Sequence, residues 1–166
     1  MVKAKYIIIV GGVLVAGIIA FFIFFQSEEA KVKKRFKFIA ERIGKTAEES
    51  HVVAATKANR IREAFTEKCK IHAPAYSYSR DTSSDEVSIL VLSERSKYSE
   101  IYLKFYDFVI DFPEKGTAEV NLTASLEGIL TTGEFVEDLH ELKCKLQKIE
   151  DIWRLKEIEI VEVLKK

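Results

Sequence analysis

Cysteine, proline and glycine are all scarce in this chain. Its 166 residues hold two cysteines, two prolines and seven glycines. Two cysteines exclude a small scaffold stapled by several disulfides. Two prolines, with no low-complexity tract and no internal repeat, exclude long linkers and a string of domains. The glycines never gather into a phosphate-cradling loop or a dinucleotide fingerprint. Cys-x-x-Cys, His-Glu-x-x-His and Gly-x-Ser-x-Gly are absent as well. His51, His72 and His140 are scattered and set out no metal spacing, so neither a metal nor an organic cofactor is expected. A positive surplus is also lacking, because 26 basic side chains face 26 acidic ones. A nucleic-acid binder would gather basic residues on one face, and none is expected as a partner.

Charge disappears altogether from Tyr6 to Phe25 (YIIIVGGVLVAGIIAFFIFF). At about 1.5 Å of rise per residue, this run has the length of a bilayer's hydrocarbon core, roughly 30 Å. It is too long for the apolar part of a signal peptide. The residues after it, Gln-Ser-Glu-Glu-Ala, offer no small-x-small cleavage site. The expectation is a five-residue tail, an uncleaved transmembrane helix over residues 6–25, and one soluble domain over residues 26–166. Lys3 and Lys5 favour a cytoplasmic N-terminus, but Lys31, Lys33, Lys34, Arg35 and Lys37 crowd the other flank. Those five read as the solvent face of a folded helix, close enough to the bilayer to meet phospholipid head groups. Long domains translocate largely regardless of charge, so the soluble domain is placed outside the cytoplasm, on a prokaryotic inner membrane. Gly12, Ala16 and Ala20 share one face of the span, a spacing at which two membrane helices can approach closely.

Beyond the span, Val32, Phe36, Ile39 and Ile43 form one apolar stripe of a helix from Glu28 to Gly44. A second helix is expected from Ala47 or Ser50 to Phe65. The period then changes to two: Cys69, Ile71 and Ala73 alternate with Lys70 and His72 until Pro74, before Tyr76 and Tyr78. Ser83 and Glu86 make a capping box for a third helix, which runs to about Ser96. Strands follow from Glu100 to the end. Ile101, Leu103 and Phe105 switch parity to Phe108, Ile110 and Phe112, which predicts a bulge near Tyr106–Asp107. Pro113 to Gly116 turns the chain into an alternating strand, Ala118 to Glu127. Asn121-Leu122-Thr123 inside that strand matches a glycosylation sequon, read as coincidence at a mid-strand position. Leu142, Cys144 and Leu146 mark the next strand, and Glu150-Asp151 turns it back into Ile152–Leu164. Helices segregated from strands in this way specify an α+β class: a curved, mostly antiparallel sheet packed on about three helices.

That order, with the segment LKFYDFVIDFPEKGTAEVNLTASLEG and the closing IEDIWRLKEIEIVEVL, resembles the nuclear transport factor 2-like superfamily, which includes ketosteroid isomerase and the SnoaL-like polyketide cyclases. The resemblance covers roughly Ala30 to Leu164. It implies a cone-shaped sheet whose open end makes a pocket, with a homodimer formed through the sheet, or here through the membrane helix. It also implies a strand lying between those of Cys69 and Cys144, hence two separately buried thiols. Many members of the superfamily bind or scaffold, and only some are enzymes.

Parity sets Asp138 and His140 on the face of Leu142, Cys144 and Leu146. A carboxylate beside an imidazole suits acid–base work, while the plainer reading is a polar strand end at the sheet's rim. With Tyr76 they make the expected ligand-binding set; no catalytic trio is placed. The leading expectation is a membrane-anchored, non-catalytic domain that binds an apolar small molecule or a protein partner. The alternative is a small isomerase, cyclase or hydrolase acting on an apolar substrate near the membrane.

Overall fold

The structure, a computed structural model, describes residues 2–74 and 77–163; the side chains of residues 2–11, 22–27, 162 and 163 lie outside what is described. The chain divides into two units, Met1–Lys34 and Arg35–Lys166.

The first unit is the N-terminal part of helix α1, which runs without a break from Val2 to Ile43. The helix thus begins well before Glu28. Within it Val13, Leu14, Val15, Ile18, Ile19 and Phe21 are exposed, Val13 to 68%. Among the described residues no helix is long and apolar enough to cross a membrane. The expected span Tyr6–Phe25 falls in large part on side chains outside the description.

The second unit is the α+β domain. After α1 come helix α2 (His51–Ile61), a 3-10 turn (Arg62–Ala64), strands β1 (Phe65–Ala73) and β2 (Tyr78–Ser83), helix α3 (Ser84–Ser96), and strands β3 (Tyr98–Glu114), β4 (Thr117–Leu130), β5 (Phe135–Ile149) and β6 (Ile152–Val163). The six strands form one sheet in the order β2-β1-β6-β5-β4-β3. Every pairing is antiparallel except β1 with β6. The expected second helix stops earlier than its apolar pattern suggests. The backbone tightens at Arg62, and Phe65 pairs with Leu155 of β6 instead of closing a helical turn.

Local chemistry fixes the boundaries. Ser50 caps α2, its Oγ accepting from the Val53 amide at 3.3 Å. Ser83 and Glu86 form the expected capping box, with N–H···O distances of 2.8 and 3.1 Å. The Ser83 amide, followed by the Ser83 hydroxyl, holds the Glu86 carboxyl below its usual range. Asp107 sits at φ 55°, where the β3–β4 register slips between Tyr106 and Val109. This is the bulge that the parity switch foretold. Its extra residue turns both Phe105 and Phe108 inward, and both rings meet Phe36 of α1, at centroid distances of 5.3 and 5.5 Å.

The core lies on the inner face of the sheet. Phe36, Ile39, Ala58, Ile61 and Val87 of the helices are buried, as are Ala118, Val120, Leu122, Cys144, Leu146, Trp153 and Leu155 of the strands. Cys69 on β1 and Cys144 on β5 are free and buried, with β6 between their strands. Burial, with Glu157 adding to it, pushes the Cys69 thiol up to about 12. Burial, followed by the neighbouring Cys69, pushes Cys144 up as well.

Candidate functional site

The strand registers place the expected site residues. His140 of β5 pairs with Ala124 of β4, which pairs with Phe105 of β3. The same row therefore ends on a ring that touches α1. Asp138 occupies the next inward row, opposite Leu126 and, beyond it, Leu103. Both residues share the face of Leu142, Cys144 and Leu146, as the parity required. Their environments differ. His140 is half-buried, and its Nδ1 is buried with no hydrogen-bond partner among the described residues, whereas Asp138 is exposed. No ion pair joins them among the described residues, so the structure does not assemble a dyad. Tyr76 lies outside the described residues.

An imidazole nitrogen buried without a partner is uncommon, since most buried polar atoms find one. The cross-strand neighbour of His140 is Ala124 and the next inward residue of its own strand is Leu142, while His72 Nδ1 on β1 is likewise buried without a partner among the described residues. A ligand group that donates or accepts one hydrogen bond at His140 would satisfy its Nδ1.

The sequence reading missed the most enclosed charged cluster. Arg95, near the end of α3, and Glu49, in the turn before α2, form an ion pair with side chains 3% and 2% exposed. The Arg95 guanidinium also donates to the carbonyls of Ile43 (3.0 Å), Ala54 (3.1 Å) and Gly44 (3.1 Å). Lys57 donates to the other Glu49 oxygen at 2.5 Å and to the Gly44 carbonyl at 3.1 Å. Burial raises the Glu49 pKa, but Lys57 and Arg95 together outweigh it and hold the carboxyl below its usual range. The cluster satisfies the carbonyls that α1 leaves open at its C-terminus and ties α1, α2 and α3 together. Its exposure is too small to admit a substrate, so its role is structural. A signal existed: Arg95 continues the stripe of Val87 and Val91 at i+4 steps, where an apolar residue would be expected. Among the described residues no group of histidine, cysteine and carboxylate side chains could hold a metal ion.

A cavity of about 300 Å³ opens elsewhere, lined by Asp107, Asn121, Leu122, Thr123, Glu141, Leu142, Lys143 and Val161. Asn121, Thr123, Glu141 and Lys143 alternate with the buried residues of β4 and β5, so most of its lining belongs to the outer face of the sheet.

No protein-family model matches the sequence, and no curated protein matches it. Solved structures do. A candidate scytalone dehydratase from Novosphingobium aromaticivorans superposes with a TM-score of 0.66 at 13% identity, covering 84% of this chain and 86% of its own. A hexachlorocyclohexane dehydrochlorinase, LinA-type3, from Novosphingobium barchaimii gives 0.64 at 6% identity over 84% and 90%. A protein of unknown function from Mycobacterium tuberculosis gives 0.67 at 9% identity over 85% and 79%. These likenesses establish the fold as nuclear transport factor 2-like. At such identities they establish the fold alone.

Proposed function

We propose that the Arg35–Lys166 domain binds a small, largely apolar molecule in the cone of its sheet without transforming it, and that an N-terminal membrane helix carries it on the outer side of the inner membrane. The observation that carries the binding reading is the buried, unpartnered Nδ1 of His140 beside Ala124 and Leu142. The uncharged run Tyr6–Phe25 supports the anchor, and the exposed apolar side chains of residues 13–21 suit a lipid environment. A homodimer through the sheet or the membrane helix belongs to the same proposal.

The test is a thermal-shift screen of the detergent-solubilised full chain against small ring compounds, repeated on His140→Ala. A ligand that raises the melting temperature of the parent and not of the variant, with the unliganded variant unchanged, is the expected result. A variant that melts several degrees lower without ligand would make His140 a structural residue and overturn the assignment. For orientation, a C-terminal alkaline phosphatase fusion should be active; an inactive one, beside a fluorescent cytoplasmic-type fusion, would turn the domain inward.

A second reading has one specific support. Two of the structural neighbours are named for eliminations, a dehydratase and a dehydrochlorinase. In an elimination a base removes a proton while a leaving group departs from the adjacent atom. Under this reading His140 is the base, and Asp138 approaches it only when substrate is bound. Product formation from the bound compound, abolished in His140→Ala, would establish it.

A further inference from the structure

The cavity on the outer face of the sheet is not accounted for by the cone. Its polar lining comes from three strands. Asp107 projects from the β3 bulge, Asn121 and Thr123 from β4, and Glu141 and Lys143 from β5. The registers set Asn121 directly across from Lys143 and Thr123 directly across from Glu141, so the Cβ atoms within each pair stand about 5 Å apart. Leu122, Leu142 and Val161 complete the lining. None of the five polar side chains has a hydrogen bond or ion pair to another side chain among the described residues. By contrast, on the same sheet Lys145 pairs with Glu157 at 3.5 Å. Tyr106 does not line the cavity itself, but it is the cross-strand neighbour of Thr123, faces outward and is 39% exposed, so it stands beside that lining residue on the same face of the sheet.

We propose that this outer-face cavity is a carbohydrate site, sized for one or two sugar units, in which Tyr106 stacks against the sugar ring. Each hydroxyl of a sugar is both donor and acceptor, and it needs neighbours of both kinds. Asp107 and Glu141 accept, Lys143 donates, and Asn121 and Thr123 do either. One side of a sugar ring carries only C–H groups and seats on an aromatic face, which Tyr106 supplies. Two carboxylates against one ammonium select neutral or amino sugars and repel uronic acids. The bulge at Asp107 gives the site its third wall, since it lifts a carboxylate out of the regular alternation. The site lies on the opposite face from His140 and is independent of the ligand proposed there.

The test uses the full chain in lipid nanodiscs on an array of neutral hexoses, N-acetylhexosamines and uronic acids. Binding to neutral or amino sugars is expected, with Tyr106→Ala and Asn121→Ala each weakening it about tenfold, the loss expected for one stacking or hydrogen-bonding partner. His140→Ala should leave it unchanged. Glu141→Gln provides a check free of packing effects, and the melting temperatures of all variants confirm that they fold. Three results overturn the proposal: no glycan bound above background, a preference for uronic acids, or binding that survives Tyr106→Ala and Asn121→Ala.

Discussion

Replacing Arg95 by methionine isolates the cluster at the C-terminus of α1. The substitution keeps an unbranched chain of similar length and removes every donor. Four interactions go at once: the ion pair with Glu49 and the hydrogen bonds to the Ile43, Gly44 and Ala54 carbonyls. Lys57 remains on both Glu49 and Gly44, so those two acceptors keep one partner. The Ile43 carbonyl loses its side-chain donor where the helix has none to offer in its place. Breaking a buried pair from one side costs about 3–5 kcal/mol, and the surviving lysine places this case near 4 kcal/mol. For a domain of this size the loss lowers the melting temperature by roughly 12–15 °C. Urea unfolding of the solubilised full chain, followed by tryptophan fluorescence, reads it directly, since Trp153 is the one tryptophan and is buried. The slope of the transition should not change. A loss below about 1.5 kcal/mol would place the cluster in the class of surface pairs and refute the argument. A double-mutant cycle with Glu49→Gln should return a coupling of about 1–3 kcal/mol, as residues in direct contact do.

Glu49 makes the same cluster sensitive to acid. Its folded pKa lies below the ordinary value of 4.5, so its contribution is full above that value and is lost as pH falls through the folded pKa. Chemical unfolding from pH 6 to pH 3 should show a steep acid loss that flattens in Glu49→Gln; identical slopes would contradict this. Gly128 faces Tyr98 so closely that an added Cβ would stand 2.8 Å from a ring carbon and 3.0 Å from the Glu100 carbonyl. Gly128→Ala should therefore destabilise by about 1–3 kcal/mol, and Tyr98→Leu in the same chain should recover part of it; full stability in the single variant would show that the strand yields freely. Cys69 and Cys144 should resist alkylation in the folded chain at pH 8 and take up two labels on unfolding without reductant. Absence of label after unfolding would mean that they pair.

The strands were legible because half of each is wet. Ala118 to Glu127 and Leu142 to Leu146 spell out the alternation of a one-sided sheet, and their registers confirm it residue for residue. The same alternation put His140 on the inner face. Ser83 and Glu86 announced a helix start because a capping box is a contact between residues three apart. What the sequence hid depends on partners far away in the chain. Phe65 carries a helical stripe yet opens a strand, because Leu155 of β6 lies parallel beside it. Arg95 breaks an apolar stripe, but its partners lie more than 40 positions earlier, and nothing local names them.

The bulge at Asp107 shows how far one residue carries. The parity switch revealed its position, and the inward turn of Phe105 and Phe108 follows from it directly. Its outward consequence needed the neighbouring strands as well. Only when β4 and β5 bring Asn121, Thr123, Glu141 and Lys143 alongside does the displaced carboxylate become one wall of a cavity. One insertion in β3 thus serves both faces of the sheet, packing two rings against α1 within and opening a polar hollow without. Deleting Asp107 would restore strict alternation with Phe105 and Phe108 both still inward, because Phe108 alone would then stand opposite Leu122. The deletion should therefore keep both rings packed on Phe36 while removing the carboxylate wall of the outer cavity, so the two faces separate in this one variant.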